Sequence, residues 1–297
     1  MLLQFNLRKA MVFALVLQCL WIATAFSAEP VNPRVLEGVS NQDAIYRDRN
    51  EFMRPGYTID RTLAAYADVL SSGFEAALAA LAPADRWLDI GAGQGQAVLD
   101  YLSPEYRPQR PLWQGRLGGG TQVVAMSIED RRTPVWRKRA ESVGTERMRY
   151  VFGKRLREYT IPELGRFRII TDVIGGFSYT DDLSAFMNTV LGLLEMNGSF
   201  YTVLQDVHEA GGSNQPHYPK APFLTEIVKS DGEKMKACAW LQSISCVKVT
   251  CEFKAHWKPP VEAYHVQKVC AETRVPTLTP VRYEPGTPPE RRFNLKN

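Results

Sequence analysis

The apolar run Trp87-Leu88-Asp89-Ile90 stops at Gly91-Ala92-Gly93-Gln94-Gly95, and a helical pattern begins at Gln96-Ala97-Val98. The chain can make only a strand, a tight turn and a helix start here. Glycine in such a turn takes positive φ without steric cost and lets a ligand press on the main chain, while the unpaired N–H groups of the new helix favour negative charge. A nucleotide-like cofactor suits that surface. Dinucleotide enzymes need the spacing GxGxxG; with Ala97 two residues after Gly95 the run reads GxGxG, which disfavours a nicotinamide oxidoreductase.

A chain of 297 residues with 45% apolar content can bury one large α/β core with appendages. A net charge of +4 with the signs interspersed is too mild to imply a nucleic-acid partner. No HExxH, CxxC or paired-carboxylate pattern occurs, so no metal site and no hydrolytic chemistry is expected.

At the N-terminus Arg8 and Lys9 precede the uncharged stretch Ala10 to Ala28, with small residues at cleavage spacing in Ala23-Thr24-Ala25 and Ala25-Phe26-Ser27. Residues 1–28 read as a signal peptide or, uncleaved, as a membrane anchor, the chain's only expected membrane contact. Gln18 before Cys19 is not the small residue a lipoprotein site wants. The expected location is exported or anchored; an organelle-targeting segment or a misassigned start, with a cytoplasmic body, is the alternative. Beyond this leader stand Cys238, Cys246, Cys251 and Cys270, an even number that suits a disulfide-permissive compartment or, equally, four small buried hydrophobes.

Residues 29–57, with Pro30, Pro33 and Pro55, read as an arm, residues 58–273 as the main domain, and residues 274–297, rich in proline, as an extended or disordered tail. Leu63, Tyr66, Ala67, Leu70, Phe74, Leu78 and Leu81 recur at near-helical spacing before the first strand. Further strands are expected at Thr121–Met126, Arg149–Phe152, Phe167–Asp172 and Ser199–Leu204. The helix Asp182–Met196 is expected to start at Asp181 or Asp182 and stop at Asn197-Gly198. Strands alternating with helices imply a doubly wound, mostly parallel sheet. Residues 246–257 and 264–270 alternate around Lys258-Pro259-Pro260-Val261 and predict an antiparallel hairpin. A turn centred between Pro260 and Val261 would set Cys251 opposite Cys270 as a disulfide and His256 opposite His265.

The segment LDIGAGQG, residues 88–95, resembles the first motif of class I S-adenosylmethionine (SAM)-dependent methyltransferases, and the likeness covers roughly residues 60–272. It implies a seven-stranded Rossmann-like sheet, SAM as cofactor, and methyl transfer to a small-molecule or protein acceptor. By resemblance Asp89, Gly91, Ala92, Gly93 and Gly95 wrap the amino-acid part of SAM, with bracing of the glycine loop as the other role open to Asp89. The family ends its second strand with an acid for the ribose; this chain has Ser127, then Ile128 and Glu129, so Glu129 is the substitute or else an N-cap. Gly153 and Lys154 fall where the family contacts adenine, without an acid or amide to read the base edge. After the fourth strand Asp172 and Tyr179 are candidates for the reacting site, their alternatives being to cap Gly175 or Gly176 and to pack. His208, after the fifth strand, is a candidate base. A competing reading is an exported binding protein that keeps the fold without catalysis.

Overall fold

The computed structural model describes residues 61–128, 130–144, 146–204, 224–257, 260–279 and 290–296. The leader, the arm, Glu129, His208 and residues 280–289 of the tail lie outside them. Every described residue belongs to the larger of two compact units, residues 32–297. Helices α1 (Leu63–Val69) and α2 (Phe74–Ala79) precede β1 (Arg86–Ile90). The glycine loop leads into α3 (Gln96–Leu102). Then come β2 (Gln122–Met126), α4 (Pro134–Val143), β3 (Met148–Val151), α5 (Ile161–Leu164), β4 (Phe167–Asp172), α6 (Gly176–Tyr179), α7 (Leu183–Leu193) and β5 (Leu194–Leu204). The described chain ends with β6 (Leu224–Val228), β7 (Lys234–Met235), α8 (Ala237–Gln242), β8 (Val247–Lys254), β9 (Val261–Lys268) and β10 (Glu290–Asn294).

Seven strands form one sheet in the order β3-β2-β1-β4-β5-β9-β8. The first five are parallel; β9 runs antiparallel to β5 and β8 antiparallel to β9. Successive side chains of a strand point to opposite faces, so Trp87 and Ile169 join one core with α1, α2, α3 and α4 while Leu88 and Ile170 join another with α7. The sheet is therefore a doubly wound Rossmann-like sheet with the expected hairpin at one end. A second sheet, β10-β6-β7, adjoins the α7 core through Ile227 and Phe293.

The helix expected to reach Met196 ends at Leu193, and Asp182 caps it by accepting from Ala185 N at 2.9 Å. Leu194 pairs with Phe167 instead, and the chain bulges before Ser199 pairs with Ile169. Asn197, at φ +60°, sits in that bulge rather than ending the helix. Leu194 is fully buried and either backbone form buries it, so its hydrophobicity could not mark the boundary.

The hairpin register differs from the one expected. Lys254 faces Val261, Cys251 faces Tyr264 and Thr250 faces His265. An even shift of register keeps every residue on its face, so alternation alone cannot locate the turn. The disulfides are accordingly Cys238–Cys251, with Cα atoms 6.1 Å apart, and Cys246–Cys270 at 5.1 Å; Cys251–Cys270 is not formed. His265 stacks on Tyr201 at 4.4 Å, with Nε2 2.9 Å from Ser199 Oγ. Replacing Cys246 and Cys270 together by serine opens a link across 24 residues. Chain-entropy reasoning puts the loss at about 3 kcal/mol, read as a lower urea midpoint whose difference from the parent disappears under reductant.

The described parts of the tail, residues 274–279 and 290–296, are likewise built into the fold. Leu278 bridges to Leu295, and β10 pairs in parallel with β6. Arg291 and Phe293 are fully buried, which a low apolar content did not foretell.

Candidate functional site

Because β1 has β2 on one side and β4 on the other, the chain leaves the sheet centre in opposite directions and opens a crevice at the carboxyl ends of these strands. The glycine loop lies there. Gly91, Gly93 and Gly95 have φ of +68°, +58° and +80°. Ala92 N bonds Met126 O at 2.9 Å, and Gly95 N bonds Ala92 O at 2.8 Å. Gly91 is exposed and Gly93 half-buried, so main chain is open to a ligand. A Cβ on Gly91 would stand 2.7 Å from Gly175 Cα, and one on Gly95 3.1 Å from Trp136 Nε1. The loop thus has the turn after β4 on one side and α4 on the other.

Asp89 is sealed beneath the loop. Its carboxylate accepts from Tyr66 Oη at 3.0 and 3.1 Å and from Thr171 Oγ1 at 2.7 Å, while Thr171 Oγ1 accepts from Trp87 Nε1 at 2.8 Å. Burial and, next, the adjacent Asp89 charge hold the Tyr66 hydroxyl well above its ordinary pKa. These bonds tie β1 to α1 and β4.

At the ends of β2 and β3 the structure brings Ser127, Ile128 and Gly153 together. Ser127 N bonds Val151 O at 3.0 Å, and Gly153 N bonds Ile128 O at 2.9 Å. Lys154 engages Glu163 on α5 at 2.7 Å. Sequence reasoning missed Tyr150, whose hydroxyl donates to Gly93 O at 2.6 Å and accepts from Arg131 N at 3.4 Å; burial pushes its pKa up to about 12. It also missed Arg132, whose guanidinium lies 5.2 Å from the Tyr150 ring centre, 5.4 Å from that of Phe152 and 5.9 Å from that of Trp136. Arg132 grips Asp130 with two bonds, 2.8 and 2.9 Å, and hydrogen bonding from Arg132 lowers the Asp130 pKa.

The turn after β4 is organised by Asp172. Its carboxylate is fully buried and accepts from Gly175 N at 2.7 Å and Phe177 N at 2.9 Å. This is the capping role. Ile174 is held at φ +58°, a conformation that costs a β-branched residue about 1–3 kcal/mol. Tyr179 is buried with the α1–α4 core, so neither side chain is presented openly to the crevice. From β10, Arg291 donates to Phe177 O at 2.8 Å and Thr180 O at 3.1 Å, closing α6 from its other end.

Burial pushes Asp172 up from about 3.8 to about 7 despite those backbone donors and Arg291. Between these values the native state holds a proton that the unfolded chain has released, so this group's contribution is fully present below about 3.8 and lost as pH rises through about 7. We expect urea midpoints to fall between pH 4.5 and 7.5. Asp172→Asn should flatten that slope.

No group of residues suited to a metal ion occurs among the described residues. Solved structures similar to this chain include the O-methyltransferase TomG from Streptomyces achromogenes, involved in tomaymycin synthesis and in complex with SAM; identity is 14%, over 84% of this chain and 95% of that one, with a TM-score of 0.43. An rRNA methylase from Streptococcus thermophilus is 11% identical over 66% and 95%, TM-score 0.41. A precorrin-6y C5,15-methyltransferase from Geobacter metallireducens is 14% identical over 73% and 95%, TM-score 0.41. No family model and no curated protein matches the chain.

Proposed function

We propose that the chain is a SAM-dependent methyltransferase acting on a small-molecule or protein acceptor. The observation that carries this reading is the exposed Gly91 backbone at the switch point between β2 and β4, pressed against Gly175 so closely that no side chain fits. An adenosyl amino acid suits that cradle: the main chain of Gly91–Gly95 meets its amino-acid end, and Ser127, Ile128 and Gly153 bound its adenosyl end. When bound, SAM supplies a methyl group already activated on a sulfonium. The protein's own task is then to orient and to exclude water. Asp172 and Arg291 hold the turn facing the loop, and Tyr150 fixes Gly93 from the β3 side. His208 remains the candidate base.

Two disulfides favour an oxidising compartment, and no described helix is long and apolar enough to cross a membrane. A second reading, an exported binding protein of the same fold without catalysis, is favoured by the burial of Asp172 and Tyr179. Thermal unfolding with SAM, S-adenosylhomocysteine and reduced nicotinamide dinucleotide phosphate tests both. The methyltransferase reading expects the first two to raise Tm at micromolar concentration and the third to do nothing. No response to SAM at millimolar concentration would overturn it, and binding without methyl loss in the presence of a broad acceptor set would favour the second reading.

A further inference from the structure

Resting on that reading, we infer that Arg132, lying on the rings of Trp136, Tyr150 and Phe152, is the platform on which the ligand's adenine stacks, so that the site recognises the face of the base and not its edge. After β3, Gly153 and Lys154 offer no side-chain acid or amide to an amino-purine edge. That leaves the face of the base for a side chain to hold. Arg132 is placed for it: its guanidinium sits over three rings at 5.2–5.9 Å, and Asp130 fixes its plane by two bonds. A planar cation held this way offers its outer face to a flat aromatic guest, and guanidinium stacks on π systems where an ammonium cannot. Its side chain is 22% exposed.

The platform is also wired to the glycine loop. Tyr150 donates to Gly93 O at 2.6 Å. Trp136 presents Nε1 to Gly95, and that buried nitrogen has no hydrogen-bond partner among the described residues. A ligand that lies along the loop therefore reaches the platform, and a guest there changes the surroundings of an indole.

The test titrates S-adenosylhomocysteine, adenosine and inosine into the full chain, following tryptophan fluorescence and, independently, heat. Stacking predicts that S-adenosylhomocysteine changes the tryptophan fluorescence of the parent and that Trp136→Phe removes most of that change. Arg132→Ala and Arg132→Lys should each weaken S-adenosylhomocysteine about tenfold or more, with Tm shifted by no more than a few degrees. Adenosine and inosine, which differ only at the base edge, should bind within about threefold of each other. Unchanged Kd in both Arg132 variants, or a tenfold preference for adenosine, overturns the platform while leaving the methyltransferase reading intact. Failure of S-adenosylhomocysteine to bind the parent protein overturns both.

Discussion

Gly91→Ala is expected to cost about 3 kcal/mol of stability and to weaken SAM binding by at least about a hundredfold. Two terms add. A non-glycine residue at φ +68° carries about 1–2 kcal/mol of left-handed strain, and the new methyl would stand 2.7 Å from Gly175 Cα. The second contact is backbone against backbone, so no rotamer change relieves it; loop and turn must separate, at about 1–3 kcal/mol by analogy with overpacked cores. Separation displaces the surface that holds the ligand, and a displacement of about 1 Å at a positioned group can cost about a hundredfold. Gly115→Ala is the matched control, because Gly115 has φ +68° with no atom within 4 Å. It should show the strain term alone and normal binding. Denaturant titration with calorimetric SAM binding reads both variants; unaltered binding by Gly91→Ala would remove the loop from the site.

Arg291→Met should destabilise the fold by about 3–5 kcal/mol, a large share of the roughly 5–15 kcal/mol typical of a domain. Arg291 is fully buried, with four hydrogen bonds: to Phe177 O, to Thr180 O and two to Thr225 Oγ1 at 2.8 and 3.1 Å. Methionine fills the volume but strips both carbonyls of their donor, at about 1–3 kcal/mol for each group left unsatisfied. The loss extends to the crevice, since Arg291 closes the helix that Asp172 opens. It also removes a cation that holds the Asp172 pKa down, so the fall in stability with rising pH should extend to higher pH in the variant. Arg291→Lys keeps the charge without the planar fork and should fall between. A midpoint unchanged by Arg291→Met would mean that β10 is not part of the cooperative unit.

The parallel strands and the glycine loop were legible because each is an apolar run cut off by residues with strong turn preferences. Phe167–Asp172 matches its expected bounds outright. What escaped was set by contacts far apart in sequence. Tyr150 looked like an ordinary strand residue until its hydroxyl met Gly93 O, 57 positions away. Arg291 sat in a polar, proline-rich stretch where a buried cation satisfied by carbonyls leaves no compositional trace. The disulfide pairing failed because hydrophobic alternation specifies faces and leaves even shifts of register undetermined. Asp172 was placed correctly at the end of β4, and only the geometry of Gly175 N and Phe177 N decided between its two roles.

Photo-crosslinking of methyl-tritiated SAM to the folded protein, followed by peptide mapping, tests the location of the adenosyl amino acid most directly. The account predicts label in peptides carrying Gly91–Gly95 or Ser127–Arg132, displaced by excess S-adenosylhomocysteine. Displaceable label confined to any other part of the chain, or none at millimolar SAM, would contradict it.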